Sequence, residues 1–241
     1  MQLKLTCSKC SIEDMTQYVE MHDGLYYLLE CRNGHKTNIV LQEERYEILF
    51  EMGTMALLDG YTREAVSSLA SSLERFYEYI IELLLIYNGV NYEEFDRMWK
   101  QVSNQSERQI GAFNAIYLLN FKEAAERFPK KMIEFRNDVI HKGLIPSRDK
   151  VIEYGNSVYK YICNILEKIY REDYIYSSLK LIERRRRKLN IDYSVGVVCI
   201  VSIPVILRNF VPRLVGEKSF TDVLDAIRDF QVIRGSFSNF R

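Results

Sequence analysis

Apolar positions along the chain keep two different periods, and the change between them falls near residue 42. Before it the pattern is short and strand-like. Gln17–Met21 and Tyr26–Leu29 flank Asp23-Gly24, a dipeptide suited to a hairpin turn because both central positions tolerate positive φ. Thr37–Leu41 predicts a further strand. From Gln42 the period becomes helical. Ile48, Met52, Met55 and Ala56 hold one stripe as far as Gly60. Ala65, Val66, Leu69, Leu73, Phe76, Tyr77, Ile80, Leu84 and Leu85 hold a longer one at i, i+3, i+4, i+7 spacing. Asn88-Gly89 ends that helix as a C-cap would. A third helix is predicted over Tyr92–Val102. Ser106 followed by Gln109 reads as a capping box and opens a fourth, to about Phe121. Pro129 suits the first position of a fifth, because its missing amide would be unpaired there anyway, and Gly143 stops it. Ser147 caps a sixth, which runs past Tyr170 toward Arg187. Beyond residue 190 an apolar stretch precedes one more helix near Thr221–Phe230.

These periods predict a mainly α protein: a helical bundle over 42–189, a small N-terminal β module over 1–41, and a C-terminal extension over 190–241 that packs on the bundle or stands apart. Four prolines and eleven glycines in 241 residues agree with long helices, and 47% apolar residues suffice for a core. Lys+Arg and Asp+Glu balance at 33 each, which argues against coating nucleic acid through bulk charge but leaves room for a local basic site. The longest apolar run, Val195–Leu207, contains Ser202 and Pro204 and is shorter than the roughly 20 residues that span a bilayer, so no membrane partner is expected. No secretory signal is visible, and five cysteines do not make an even disulfide framework, so the expected compartment is the cytoplasm. The chain shows no P-loop, no GxGxxG and no nucleophile elbow, which weakens ATPase, dehydrogenase and esterase readings.

Chemistry enters first at the cysteines. Cys7-Ser-Lys-Cys10 precedes Cys31-Arg-Asn-Gly-His35 by 20 residues that hold the predicted hairpin. Two thiolates from one tight turn, joined by a second Cys and a His, complete a tetrahedral shell for zinc. With four protein ligands the ion is structural, since no position is left for water. So small a β module has little core, and metal binding would supply much of its folding energy. Three free thiols or a redox CxxC are the competing readings, the latter without its usual βαβ setting. His22 is a spare ligand candidate beside the turn.

The second candidate is Phe135-Arg136-Asn137-Asp138-Val139-Ile140-His141-Lys142-Gly143. Asn137 and His141 share a helical face, and the long Arg136 side chain reaches the same side. His141 lies in the last turn, where the helix end favours positive charge, and imidazole exchanges protons near neutral pH. Arg136 offers a planar fork for phosphate. A proton carrier beside a guanidinium is a workable set for phosphodiester cleavage. With 19 Arg, 13 Asn and 3 His in the chain, Arg-Asn-x(3)-His is expected by chance about 0.01 times. From the residues alone, a solvated helix end with an incidental histidine stands beside the catalytic reading.

Arg136–His141 resembles the R-x(4–6)-H motif of HEPN domains, including the polar residue after the arginine and its place late in a helical bundle. The helix from Arg63-Glu-Ala-Val66 to Leu73-Glu-Arg-Phe-Tyr77 is similar to a first bundle helix of that superfamily. The resemblance covers roughly residues 45–175. It implies a metal-independent endoribonuclease acting on RNA, as a toxin or antiviral (phage) defence effector, with two motifs lining one cleft of a homodimer. Arg136 would contact the scissile phosphate, His141 would transfer protons and Asn137 would orient one of them. Members that have lost catalysis imply the alternative, a zinc-containing nucleic-acid or protein adaptor, or an antitoxin-like regulatory partner of another enzyme.

Other features point to less. The run Arg184–Arg187 reads as a solvated helix face that could grip phosphates. Tyr154, Tyr159, Tyr161 and Tyr170 read as core or dimer-interface residues rather than base-stacking platforms. Glu107-Arg108 reads as surface pairing, and Cys163 and Cys199 as small buried apolar residues.

Overall fold

The computed structural model describes residues 2–10, 16–171, 174–195, 198–202, 206–207 and 219–225. It is mainly helical, with a small N-terminal β-sheet region. The chain divides into two compact units. One takes Met1–Glu43 with Ser178–Pro204, and the other takes Glu44–Ser177 with Val205–Arg241.

In the first unit, β1 (Gln2–Thr6) pairs antiparallel with β2 (Thr16–Glu20), with Leu3 opposite Val19 and Leu5 opposite Gln17. A second sheet has the order β3 (Tyr26–Glu30), β4 (Lys36–Leu41), β5 (Val198–Val201). β3 and β4 are antiparallel, whereas β4 and β5 are parallel, with Ile39 opposite Cys199. The alternating burial of β1 and β3 follows the two-residue strand period and puts Leu3, Leu5, Tyr27 and Leu29 inside. The expected hairpin across Asp23-Gly24 is therefore not the one formed. Its flanking strands belong to different sheets, and the residue with positive φ there is Leu25, at 52°. β1, a strand that the apolar pattern does not predict, is the partner that takes β2 away from β3. The tight turn of this unit instead runs from Cys31 to His35. Cys31 N donates to His35 O at 3.0 Å, Gly34 N donates to Cys31 O at 2.8 Å, and Gly34 takes the φ of 73° that this turn requires.

The helical unit is built on α2 (Thr62–Tyr87), which packs against α1 (Arg45–Leu58), α4 (Ser106–Phe121), α5 (Lys130–Lys142) and α6 (Arg148–Arg171). Its predicted stripe is the buried one: Leu69, Phe76, Ile80 and Leu84 are inaccessible, as are Phe50, Phe113, Val139 and Ile162 from the neighbouring helices. α3 (Tyr92–Val102) starts at Asn91, whose Oδ1 accepts from Glu94 N at 2.9 Å. The capping box expected at Ser106 does not form. Ser106 is the first helical residue, its hydroxyl goes to Glu74, and Gln109 turns back to Ser103 O. A reciprocal box is found at α1 instead, where Glu44 N donates to Glu47 Oε2 at 2.7 Å. Pro129 precedes α5 as its N-cap, and Gly143 closes it at a φ of 72°.

The helix read from Ser147 toward Arg187 is two helices, α6 and α7 (Ile175–Arg187), with residues 172–173 outside those described. The described residues of the C-terminal stretch 190–241 divide between the units: β5 adds to the sheet, while Phe220, Val223 and Leu224 are buried among the helices. Phe220 packs on Phe50 at a centroid distance of 5.5 Å, and its amide donates to Asn156 Oδ1 at 2.9 Å. A Cβ on Gly155 would lie 2.4 Å from this ring, so glycine is what admits the close approach. Residues 226–230 of the expected last helix lie outside the described ones. No helix among the described residues is long and apolar enough to cross a membrane.

Candidate functional site

Two clusters of chemistry-bearing side chains form, one in each unit. In the β unit, each pair of ligand residues sits at the end of a strand pair. Cys7 and Cys10 follow β1, while Cys31 and His35 bound the turn between β3 and β4. Their ligand atoms all lie within 4.8 Å of one another. Cys10 Sγ is 4.0 Å from Cys31 Sγ and 2.9 Å from His35 Nδ1. Two thiolates on one tetrahedral ion stand roughly 3.8 Å apart at usual metal–sulfur lengths, so the cluster needs little adjustment to close on one. Cys7 and Cys31 are buried, which shields the centre from water.

The electrostatics fit the same conclusion. The Lys9 amide donates to Cys7 Sγ at 3.5 Å and holds that thiol below its ordinary range. Desolvation, with the neighbouring Cys7 and Cys31, pushes the Cys10 thiol up to about 11. Thiols this close resist ionising together, and a bound cation offsets that repulsion. This cluster of Cys7, Cys10, Cys31 and His35 could hold a metal ion. His22 is not part of it: its ring faces Tyr27 at 4.5 Å, and its Nδ1 accepts from Gly24 N at 3.2 Å.

In the helical unit, Arg136, Asn137 and His141 line one cavity of about 490 Å³, together with residues of α2, α6 and the start of α4. Arg136 is half-buried. Its Nη2 lies 2.6 Å from Glu74 Oε1, and its Nη1 donates to Asn137 Oδ1 at 3.1 Å. Ser106 Oγ donates to the same Glu74 oxygen at 3.2 Å. A chain of polar contacts thus runs from α4 through α2 to α5 and fixes the guanidinium. A guanidinium has five N–H groups, so donors remain for a further anion. His141 is exposed at the last turn of α5, on the cavity rim, and makes no side-chain hydrogen bond among the described residues. Asn137 therefore contacts the arginine and not the histidine.

Glu74 was hidden from sequence reasoning. It sits on the polar shoulder of the α2 stripe as one of many acidic residues. The signal available was its i−4 to i+3 proximity to the buried Ala70 and Tyr77, which turns that shoulder inward. Glu107, read as a surface-paired residue, lines the cavity, while Arg108 donates to Gln101 O at 3.1 Å. Tyr154 is buried and also lines it; burial pushes its hydroxyl well up. Tyr159 and Tyr161 are core, and the Tyr170 side chain lies outside those described.

The arginine run is not the free cationic face the sequence suggested. Arg185 donates to both Gln42 O and Glu43 O at 2.8 Å, and Arg187 pairs with Glu183 at 2.6 Å. Cys163 is buried as expected, while Cys199, on strand β5, is half-exposed. No family model, no curated protein and no solved structure matches this chain.

Proposed function

We propose that this protein is a HEPN-type endoribonuclease that cleaves RNA through Arg136 and His141, with a structural zinc at Cys7, Cys10, Cys31 and His35. What supports the reading is the convergence of Arg136, Asn137 and His141 on one cavity, with the arginine held from two sides. Arg136 binds the scissile phosphate through the N–H groups that Glu74 and Asn137 leave over. The 2′-oxygen gives up its proton as it attacks phosphorus, the P–O5′ bond breaks, and the departing 5′-oxygen takes a proton. An imidazole serves each transfer, one from each chain of a homodimer as the resemblance implies. The products are a 2′,3′-cyclic phosphate and a 5′-hydroxyl, and DNA, without a 2′-hydroxyl, is resistant. The chemistry routes no step through a metal. A toxin or phage-defence role is the setting this activity fits.

Zinc is the ion best matched to three sulfurs and one imidazole in a closed site. A second reading, a catalytically silent adaptor for nucleic acid or protein in the cytoplasm, is favoured by one observation. The Glu74 ion pair occupies part of the guanidinium that a phosphate would need.

The deciding experiment incubates the protein with a mixed RNA pool in EDTA, beside the Arg136→Ala/His141→Ala variant, and repeats it without chelator. Cleavage by the wild type with cyclic-phosphate ends, absent in the variant, is expected. Equal cleavage by both would remove these residues from the mechanism. RNA binding without turnover in either condition would favour the adaptor.

A further inference from the structure

The three sulfurs of the ligand cluster are not equivalent. Cys7 and Cys31 are buried, while Cys10 is half-exposed. Cys7 Sγ accepts from the Lys9 amide at 3.5 Å and lies 4.0 Å from the hydroxyl of Thr37, a side chain closed off from water. Donors on a sulfur draw off electron density and make it a weaker nucleophile. Cys10 Sγ has a looser polar neighbour on its open side, Asn33 Nδ2 at 3.8 Å, in an exposed contact. An oxidant arriving from water therefore meets Cys10 first.

A second sulfur stands ready beside it. Cys31 Sγ is 4.0 Å from Cys10 Sγ. Cys31 N donates to His35 O at 3.0 Å and Cys31 O accepts from Gly34 N at 2.8 Å, so backbone bonds that need no metal hold this residue in its turn. A disulfide sets its sulfurs roughly 2.05 Å apart, and rotation about the two Cα–Cβ bonds covers the difference. This pair is not the CxxC of the sequence. It joins segments 21 residues apart, one after β1 and one after β3.

We propose that Cys10 and Cys31 form an oxidation site, at which a hydroperoxide links the two sulfurs and discharges the bound ion. The proposal rests on the zinc reading of the cluster and is independent of the ribonuclease reading. Metal-bound cysteines are thiolates. The Cys10 thiolate attacks one peroxide oxygen, the O–O bond breaks, hydroxide leaves with the bonding pair, and Cys10 becomes a sulfenic acid. The Cys31 thiolate then attacks the Cys10 sulfur; the S–S bond forms as the S–O bond breaks, and a second hydroxide leaves. Two thiolates give up two electrons, and one peroxide takes them. Cys7 and His35 remain, two ligands where a closed zinc site has four, so the ion is released.

The test uses full-length protein loaded with zinc, its metal content measured before any oxidant is added. Hydrogen peroxide is then supplied, a zinc-sensitive dye follows release, and peptide mass spectrometry maps the links. Zinc is expected to leave in step with a Cys10–Cys31 disulfide, one ion for each link formed. In a parallel sample dimedone traps the sulfenic acid, and its adduct should fall on Cys10. Cys199 is half-exposed as well but lies outside the cluster, and it should form no link. Four results overturn the proposal and leave the zinc reading standing. They are a disulfide that uses Cys7, zinc lost without a disulfide, zinc kept at a peroxide dose that oxidises glutathione in the same tube, and an adduct on Cys7 or Cys31. Protein that takes up no zinc at the outset overturns both.

Discussion

In the β unit the side chains that converge are three thiols and an imidazole; in the helical unit they are Phe50, Phe76, Phe113 and Phe220. The first set is polar and could hold a metal ion. The second is apolar and is stabilised by burial. The helical unit carries Arg136 and His141 at the wall and rim of a cavity beside that apolar core. The β unit gathers its ligand atoms where the ends of its strand pairs meet, with Cys7 and Cys31 buried. Histidine thus stands in two settings, His35 within the ligand cluster and His141 exposed on a cavity rim.

Metal removal separates the two regions most sharply. Structural zinc in small modules contributes about 10–16 kcal/mol of apparent binding energy. Chelation, or Cys10→Ser, should collapse the amide spectrum of residues 2–10 and 16–41 while the fluorescence of Trp99, in the helical unit, stays unchanged. Loss of both signals together would show that the units do not fold independently. The wild type should carry one zinc per chain, and Cys10→Ser should lose it.

His141→Ala makes the reciprocal cut. RNA cleavage should fall by about 10²–10⁴-fold, the usual share of a general acid or base, with metal content and melting temperature preserved. A drop in stability of several degrees would mark His141 as structural. Phe220→Ala tests the apolar side: it should cost about 3–5 kcal/mol in chemical denaturation of the helical unit, as for other buried aromatics, and leave the bound metal in place.

The smallest effect expected is on acid stability. Lys131 and Lys150 hold the Glu153 carboxyl down to about 2, against an ordinary value near 4.5. A carboxyl depressed in the folded state contributes above its unfolded value and loses that contribution as pH falls from near 4.5 toward 2. Lys131→Ala should therefore narrow the stability difference between pH 7 and pH 3, slightly, because the groups are exposed. An unchanged pH profile would mean that the pair that links α5 to α6 is immaterial.

The features legible in the sequence were those with a short-range cause. The α2 stripe, the Asn88-Gly89 stop and the Cys-His spacing each lie within one element or one turn. Pairing that depends on distant partners was not legible. β2 has a strand's pattern, but nothing in it says that Gln2–Thr6 rather than Tyr26–Glu30 lies alongside. Ser106 and Gln109 carry a capping-box signature, but Glu74 on α2 takes the serine and the Ser103 carbonyl takes the glutamine. Arg184–Arg187 reads as exposed because charge is usually solvated, and the open carbonyls of Gln42 and Glu43 that claim Arg185 lie far away in sequence.

The parallel ladder between β4 and β5 sets an order of events on the ribosome. Asn38 lies opposite Val198, so the whole of α1–α7 must be synthesised between the two strands. At about 5–20 residues per second that interval is on the order of ten to thirty seconds. During it β4 exposes an edge that can hydrogen-bond to any passing strand. The nascent chain is most vulnerable to mispairing in that interval, which only the synthesis of β5 can end.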